Sequence, residues 1–284
     1  MLVWLASYPR SGNTYARVLL NKCLGLKTYS IHEGDDYNQE TVAELIGHSH
    51  AANSMALLQE ARNTENIFIV KTHHAPQSDE AAIYIVRDGR AATISFHHFC
   101  LDMGLEISIE QLIDGVQKIG SWSSHIAAWA PLERQNTLLV KYERLISEPR
   151  ETITEISKFL GVSLTGQCDV SFEELNAMAP TIFRAGANEK NIMEMEPHIG
   201  KFFASHGAAM VGLKYVTISE AFSKLSEYLA SLQDSKNIML RLNDIKDILY
   251  TIEANSQLRY ENTFNKLSET QPMAAPHSEP ASQI

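Results

Sequence analysis

Residues 2–15 read Leu-Val-Trp-Leu-Ala-Ser-Tyr-Pro-Arg-Ser-Gly-Asn-Thr-Tyr. Met1–Ser7 predicts a short buried strand, because Leu2, Val3, Trp4 and Leu5 run together without a polar break. Pro9 and Gly12 mark a turn, and Tyr15, Val18, Leu19 and Cys23 then recur at helical spacing. A strand that feeds a small-residue turn into a helix N-terminus makes an anion cradle: unpaired backbone N–H groups face the ligand, and the helix dipole favours negative charge. Gly12 permits close approach of the backbone, Ser11, Asn13 and Thr14 add side-chain donors, and Arg10 adds charge. The loop lacks the Gly-Lys-Ser/Thr ending of a nucleoside-triphosphate P-loop, and no Mg²⁺ ligand pair accompanies it. The expectation is a phosphate cradle that works without a metal; the plain alternative is a capped helix after a turn.

Working outward, three further apolar runs predict buried strands: Ile67–Val70, Ala82–Val86 and Thr137–Val140. They are continuous rather than alternating, which favours a parallel sheet covered on both faces. Helical patterns separate them at Glu40–Asn63, Ala91–His98 and Ser108–Ala130, and a helix at Pro149–Leu160 should stop at Gly161. The fold class is therefore α/β, a three-layer arrangement with a central parallel sheet flanked by helices. Ligands in such sheets collect beyond the carboxyl ends of the strands. Each expected exit carries polar residues there: Arg10 and Ser11, Lys71 and His73, Arg87, and Tyr142.

Composition narrows the function. The chain has 284 residues, 44% of them hydrophobic and 20% charged, enough for a large core. Three cysteines, Cys23, Cys100 and Cys168, cannot all pair, which excludes a disulfide scaffold and suggests a reducing, cytoplasmic setting. No apolar stretch approaches the roughly 20 residues of a membrane span. The formal net charge of −10 gives no general attraction to nucleic acid, so no nucleic-acid partner is expected.

Two further stretches carry chemistry. In Lys71-Thr72-His73-His74, a Lys and a His two residues apart at a strand exit point to one side, so one can hold charge while the other moves a proton. His74 would lie on the opposite side; a solvated surface turn is the plain alternative. No Asp, Cys or third His follows at ligand spacing, so no metal is expected. In the second stretch Arg87 closes a strand and Ser95 lies eight residues on, inside the next helix. Arg with a nearby hydroxyl suits a phosphate. Asp88 is placed to cap that helix, or to pair with Arg87.

Taken in order, these stretches resemble the PAPS-dependent sulfotransferase family, where PAPS is 3′-phosphoadenosine 5′-phosphosulfate. Tyr8–Tyr15 is similar to that family's Tyr-Pro-Lys/Arg-Ser-Gly loop, Lys71–His73 to its Lys-Thr-His, and Arg87 to Ser95 with His98-Phe99 to its 3′-phosphate segment. Tyr142-Glu143-Arg144-Leu145, Ser171–Leu175, Phe183–Gly186 and His206–Met210 resemble later elements, so the likeness covers residues 1–215. It implies a P-loop-like fold and sulfuryl transfer from PAPS to a hydroxyl or amine of a small-molecule or glycan acceptor, with PAP as product. It implies His73, Lys71 and Arg10 as the catalytic set, and Arg10, Ser11, Gly12, Asn13, Thr14 and Tyr15 around the phosphosulfate and adenine. Arg87, Ser95, Arg184 and Gly186 would take the 3′-phosphate, and Tyr142 and Phe172 would take adenine. Departures are Arg10 for the more usual Lys, Tyr15 for Trp, and Ala185 for a Lys. The competing readings are a small-molecule kinase or other nucleotide enzyme of similar fold, and an inactive interaction protein.

Beyond residue 215 the chain changes character. Residues 218–267 hold no Gly or Pro. Leu225, Leu229, Leu232, Ile238, Leu242, Ile245, Leu249 and Ile252 form a heptad-like seam. The expected organisation is a domain at 1–215, a helical extension at 216–267 and a disordered tail at 268–284; the extension either forms a coiled coil that joins copies into a homo-oligomer or, as the plain alternative, a helical hairpin packed back on residues 1–215.

Overall fold

The computed structural model describes residues 1–32, 40–51, 53–116, 118–165, 175–177 and 188–231. Five strands form one sheet in the order β2-β3-β1-β4-β5, with every pairing parallel. They are β1 (Leu2–Ser7), β2 (Thr28–Ser30), β3 (Phe68–Thr72), β4 (Ala81–Val86) and β5 (Thr137–Lys141). The registers Trp4↔Val70 and Trp4↔Ala82 put β1 at the centre. Alternation along β1 explains why its run is unbroken. Leu2, Trp4 and Ala6 enter one core, and Val3 and Leu5 enter the other, so neither face of the strand meets water.

The second core is closed by α1 (Asn13–Leu24), through Val18, Leu19 and Leu20, by α7 (Tyr142–Ser147), through Tyr142 and Leu145, and by α8 (Pro149–Leu160), through Ile153 and Ile156. The first is closed by α3 (Ser54–Arg62), α4 (Gly89–Asp102), α6 (Trp122–Trp129) and α10 (Ile199–Gly212), and it contains Trp122, Trp129 and Phe202. This is the expected three-layer α/β architecture. Pro149 occupies the first turn of α8 and Gly161 ends it with a left-handed φ of 67°, as the sequence predicted.

Other boundaries differ. The expected helix Glu40–Asn63 is two, α2 (Glu40–Leu45) and α3, because Gly47 turns left-handed between them and Asn53 caps the second by accepting from the backbone N–H groups of Met55 and Ala56. The expected helix Ser108–Ala130 is also two, α5 (Ile109–Asp114) and α6. Gly115 and Gly120 take φ of 104° and 79°, and Ser108 and Ser121 begin each piece with a capping box. β2 was not expected from the sequence. Cys23 is disulfide-bonded, against the expectation of reduced cysteines, while Cys100 is a free buried thiol.

α9 (Asn188–Glu194) and α11 (Ile218–Ser231) complete the described chain. α11 packs along α10, burying Ile218, Ala221 and Leu225. The start of the apolar seam is thus spent on the domain itself. Residues 232–284, with the rest of the seam and the tail, lie outside the described residues. Among the described residues no helix is long and apolar enough to cross a membrane.

Candidate active site

Because all strands are parallel, the exits of β1, β3, β4 and β5 share one edge of the sheet. The chain runs from β1 to β2 and β3 on one side of it and then crosses to β4 and β5 on the other, and this reversal opens a crevice at the carboxyl end of β1. The cradle sits there. Gly12 takes φ of 97°, and α1 begins without a side-chain cap. Its first-turn N–H groups therefore face outward with no cap to bind them. Ser11 is fully buried, and its Oγ has no hydrogen-bond partner among the described residues. A buried hydroxyl left in that state signals a missing acceptor. Asn13 is used differently from the expectation: its Nδ2 donates to the Leu5 carbonyl at 3.0 Å and to Ser7 Oγ at 3.3 Å, tying α1 to β1. Thr14 stands half-buried beside it, whereas Tyr15 is buried in the core beneath α1.

Arg10 also takes a left-handed backbone, φ 63°. That conformation costs a non-glycine residue roughly 1–2 kcal/mol. Arg87 helps hold it there, donating from a terminal nitrogen to the Arg10 carbonyl at 3.0 Å. The Arg10 side chain runs across the crevice mouth. Its Nε donates to Ser95 Oγ at 3.4 Å, and its guanidinium lies 5.4 Å from the Phe99 ring centre. Arg10, Arg87 and Ser95 therefore converge.

Arg87 is buried, and burial pulls its pKa below the usual arginine value, with Tyr142 and Glu143 opposing. It remains a cation at neutral pH. Its Nε donates to Asn188 Oδ1 at 2.7 Å, and its guanidinium stacks 4.7 Å from the Tyr142 ring centre. Tyr142 in turn lies across Gly12. Asp88 does not pair with Arg87. It caps α4 by accepting from the Arg90 N–H and binds the Arg90 side chain at 2.7 Å. Glu143 gathers three segments: its carboxylate accepts from the Asp88 N–H at 3.0 Å, Asn188 Nδ2 at 3.3 Å and the Tyr215 hydroxyl at 3.0 Å.

Lys71 is buried at the end of β3 and His73 follows it. His73 Nδ1 lies 2.7 Å from the Ser7 carbonyl oxygen. A carbonyl can only accept, so Nδ1 carries a proton; in the neutral ring that leaves the lone pair on Nε2, the tautomer a general base requires. Ser7 is thus shared: its carbonyl sets the His73 tautomer, and its hydroxyl accepts from Asn13 of the cradle. The backbone around His73 is held as well. Its N–H donates to His32 Nε2 at 2.8 Å, and its carbonyl accepts from His125 Nε2 at 3.1 Å. Sequence reasoning missed His32, His125, Glu143 and Asn188, because no spacing rule joins residues this distant along the chain. Phe172, Arg184 and Gly186 lie outside the described residues.

A buried guanidinium beside a hydroxyl, an uncapped helix start and an imidazole with Nδ1 on a carbonyl thus lie along one edge of the sheet. The sequence model of the sulfotransferase domain matches residues 2–204, and the chain belongs to that family. It is 33% identical over 95 residues to a 3-alpha-hydroxysteroid sulfotransferase of Cavia porcellus, covering 31% of this chain and 33% of that one. It is 25% identical over 177 residues to sulfotransferase 1B1 of Mus musculus, covering 56% and 58%. The matches thus span one third to somewhat over half of these relatives' lengths. The crystal structure of retinol dehydratase in a complex with retinol and PAP shares the fold, with a TM-score of 0.50 at 18% identity over 72% of this chain and 80% of that one.

Proposed function

We propose that this protein transfers a sulfuryl group from PAPS to a hydroxyl or amine of a small-molecule or glycan acceptor. The observation that carries the reading is the Ser7 junction, where one residue braces the anion cradle and sets the tautomer of the base. The residues present fit the donor. The orphaned Ser11 hydroxyl, the uncapped turn at Gly12 and Arg10 suit the phosphosulfate, and Arg87 with Ser95 suits the 3′-phosphate. Arg184 and Gly186 are assigned to the same phosphate, and Tyr142 and Phe172 to adenine, by the family likeness. Thr14 would contact the phosphosulfate, and Tyr15 would reach adenine only by turning out of the core.

PAPS supplies an activated sulfuryl group: the acceptor oxygen or nitrogen bonds to sulfur as the bond from sulfur to the bridging phosphate oxygen breaks, releasing PAP. His73 Nε2 takes the acceptor's proton. Lys71 and Arg10 stabilise the negative charge that grows on the sulfuryl and bridging oxygens. Positioning accounts for most of the rest, as in phosphoryl transfer.

Calorimetry with PAP in the presence of a chelator, followed by radiolabel transfer from PAPS to a panel of phenols, alcohols and amines, tests the reading. PAP binding without Mg²⁺ supports it. Binding of ATP–Mg²⁺ in preference to PAP would favour the kinase alternative instead. We also propose self-association through residues 232–267, whose apolar seam continues past the part that α11 buries.

A further inference from the structure

His125 and Trp129 lie four residues apart on α6, and therefore on one face of that helix. They grip two successive carbonyls of the turn that bears the base: His125 Nε2 is 3.1 Å from the His73 oxygen, and Trp129 Nε1 donates to the His74 oxygen at 2.9 Å. His125 is buried, and burial holds its pKa down at about 4, so the ring is neutral at pH 7. One proton is then shared between two ring nitrogens. The His73 carbonyl requires it on Nε2, and the Tyr84 hydroxyl, 2.8 Å from Nδ1, supplies the complementary donor. Tyr84 is itself buried, and burial raises its pKa well above the usual phenol value, so it keeps that proton.

The polarity of the whole chain is fixed. Tyr84 donates to His125, His125 donates to the His73 carbonyl, the His73 N–H donates to His32, and His73 Nδ1–H donates to the Ser7 carbonyl. His125 also meets the cradle loop, with the Tyr8 ring packed edge-on against it at 6.1 Å. We infer that the buried Tyr84–His125 pair is a positioning device that holds the His73 peptide, and with it the base nitrogen, in register with the cradle. The inference rests on the sulfuryl-transfer reading of the site. His125 touches no reacting atom; it acts through His73.

A purely structural role would satisfy the same carbonyl, so the test reads the base itself. Long-range ¹H–¹⁵N NMR of the ¹⁵N-histidine-labelled full chain reports the tautomer of each imidazole. The wild type should show His73 as the Nδ1–H form. His125→Phe keeps a flat ring but removes the donor, and should mix the His73 tautomers. His125→Gln, which can still reach the carbonyl with an N–H, should restore the wild-type signal. If His125→Phe does not fold, Tyr84→Phe is read in its place and should shift the His125 tautomer and, more weakly, that of His73. On a phenol the wild type turns over, His125→Phe should lower kcat about 10- to 100-fold, as a small displacement of a reacting group does, with PAP affinity within about threefold. Unchanged His73 signals in a folded His125→Phe protein, or a wild-type His73 in the Nε2–H form, overturn the inference. Failure of the wild type to bind PAP overturns the sulfuryl-transfer reading instead, and the NMR arm does not depend on it.

Discussion

The edge of the Tyr142 ring stands 2.3 Å from the point that a Cβ on Gly12 would occupy. The ring cannot simply retreat, because the Arg87 guanidinium stacks on it at 4.7 Å. Gly12→Ala therefore combines a clash with a left-handed φ of 97°. That backbone strain alone costs about 1–2 kcal/mol. PAP affinity should fall at least about tenfold in calorimetry. An alanine variant with wild-type affinity would separate this loop from the cofactor.

His73→Ala should lower turnover by about 10²–10⁴-fold, the usual contribution of a positioned base. PAP affinity should stay within about threefold, since the imidazole faces the acceptor in the proposed reaction. Single-turnover transfer from PAPS separates the two effects, and near-normal chemistry would remove His73 from the role.

Arg87→Ala should weaken PAP by about 1.5–3 kcal/mol, the scale of hydrogen bonds to a charged group. Adenosine 5′-phosphosulfate lacks the 3′-phosphate and should lose less. It should still lose something, because Arg87 also holds the strained Arg10 carbonyl. Equal losses for both ligands would leave only that scaffolding part.

Stability should fall in mild acid. Burial depresses the pKa of both His125 and His206 from 6.5 to about 4. Below 6.5 the unfolded chain takes up protons that the folded rings refuse. The stabilisation is therefore complete above about pH 6.5 and is lost as the pH falls toward 4. At pH 5 each ring accounts for roughly 2 kcal/mol of the loss. Urea unfolding at pH 7 and pH 5 measures it, and His206→Phe should flatten the slope.

The full chain should be a dimer or larger by light scattering at micromolar concentration. A stop after Ser231 should give a monomer that still binds PAP. A stop after Tyr215 should instead destabilise the domain, because α11 buries Ile218, Ala221 and Leu225. A monomeric full chain would end the proposal of self-association.

Apolar runs made β1, β3, β4 and β5 legible, since strands buried on both faces carry no alternation to confuse. β2 was not, because Thr28-Tyr29-Ser30 is short and polar and is held by pairing with Ile69–Lys71 on its neighbour. The helices were legible where Pro149 and Gly161 mark the ends. They were over-extended where single glycines, Gly47, Gly115 and Gly120, turn the chain without interrupting the apolar count. Of the candidate site, Arg10, Ser11, Lys71, His73, Arg87 and Tyr142 could be picked out at strand exits, Gly12 from its turn, and Ser95 from its spacing to Arg87 inside the next helix. His125 could not, because one histidine on a helix has no periodic partner and its role appears only when α6 lies over β4.

Glu143 has a temporal consequence. Its carboxylate joins Asp88, Asn188 and Tyr215, so this wall of the crevice exists only after segments far apart in the chain have met. Closing loops of that length is the slow part of folding, whereas the β1–α1 cradle is local. The wall beside Arg87 would therefore be completed late, after the β1–α1 unit it flanks. On the proposed reading, a nucleotide bound across the crevice would act as a late clasp, lending the mature fold about 2.7 kcal/mol when present at a hundred times its dissociation constant.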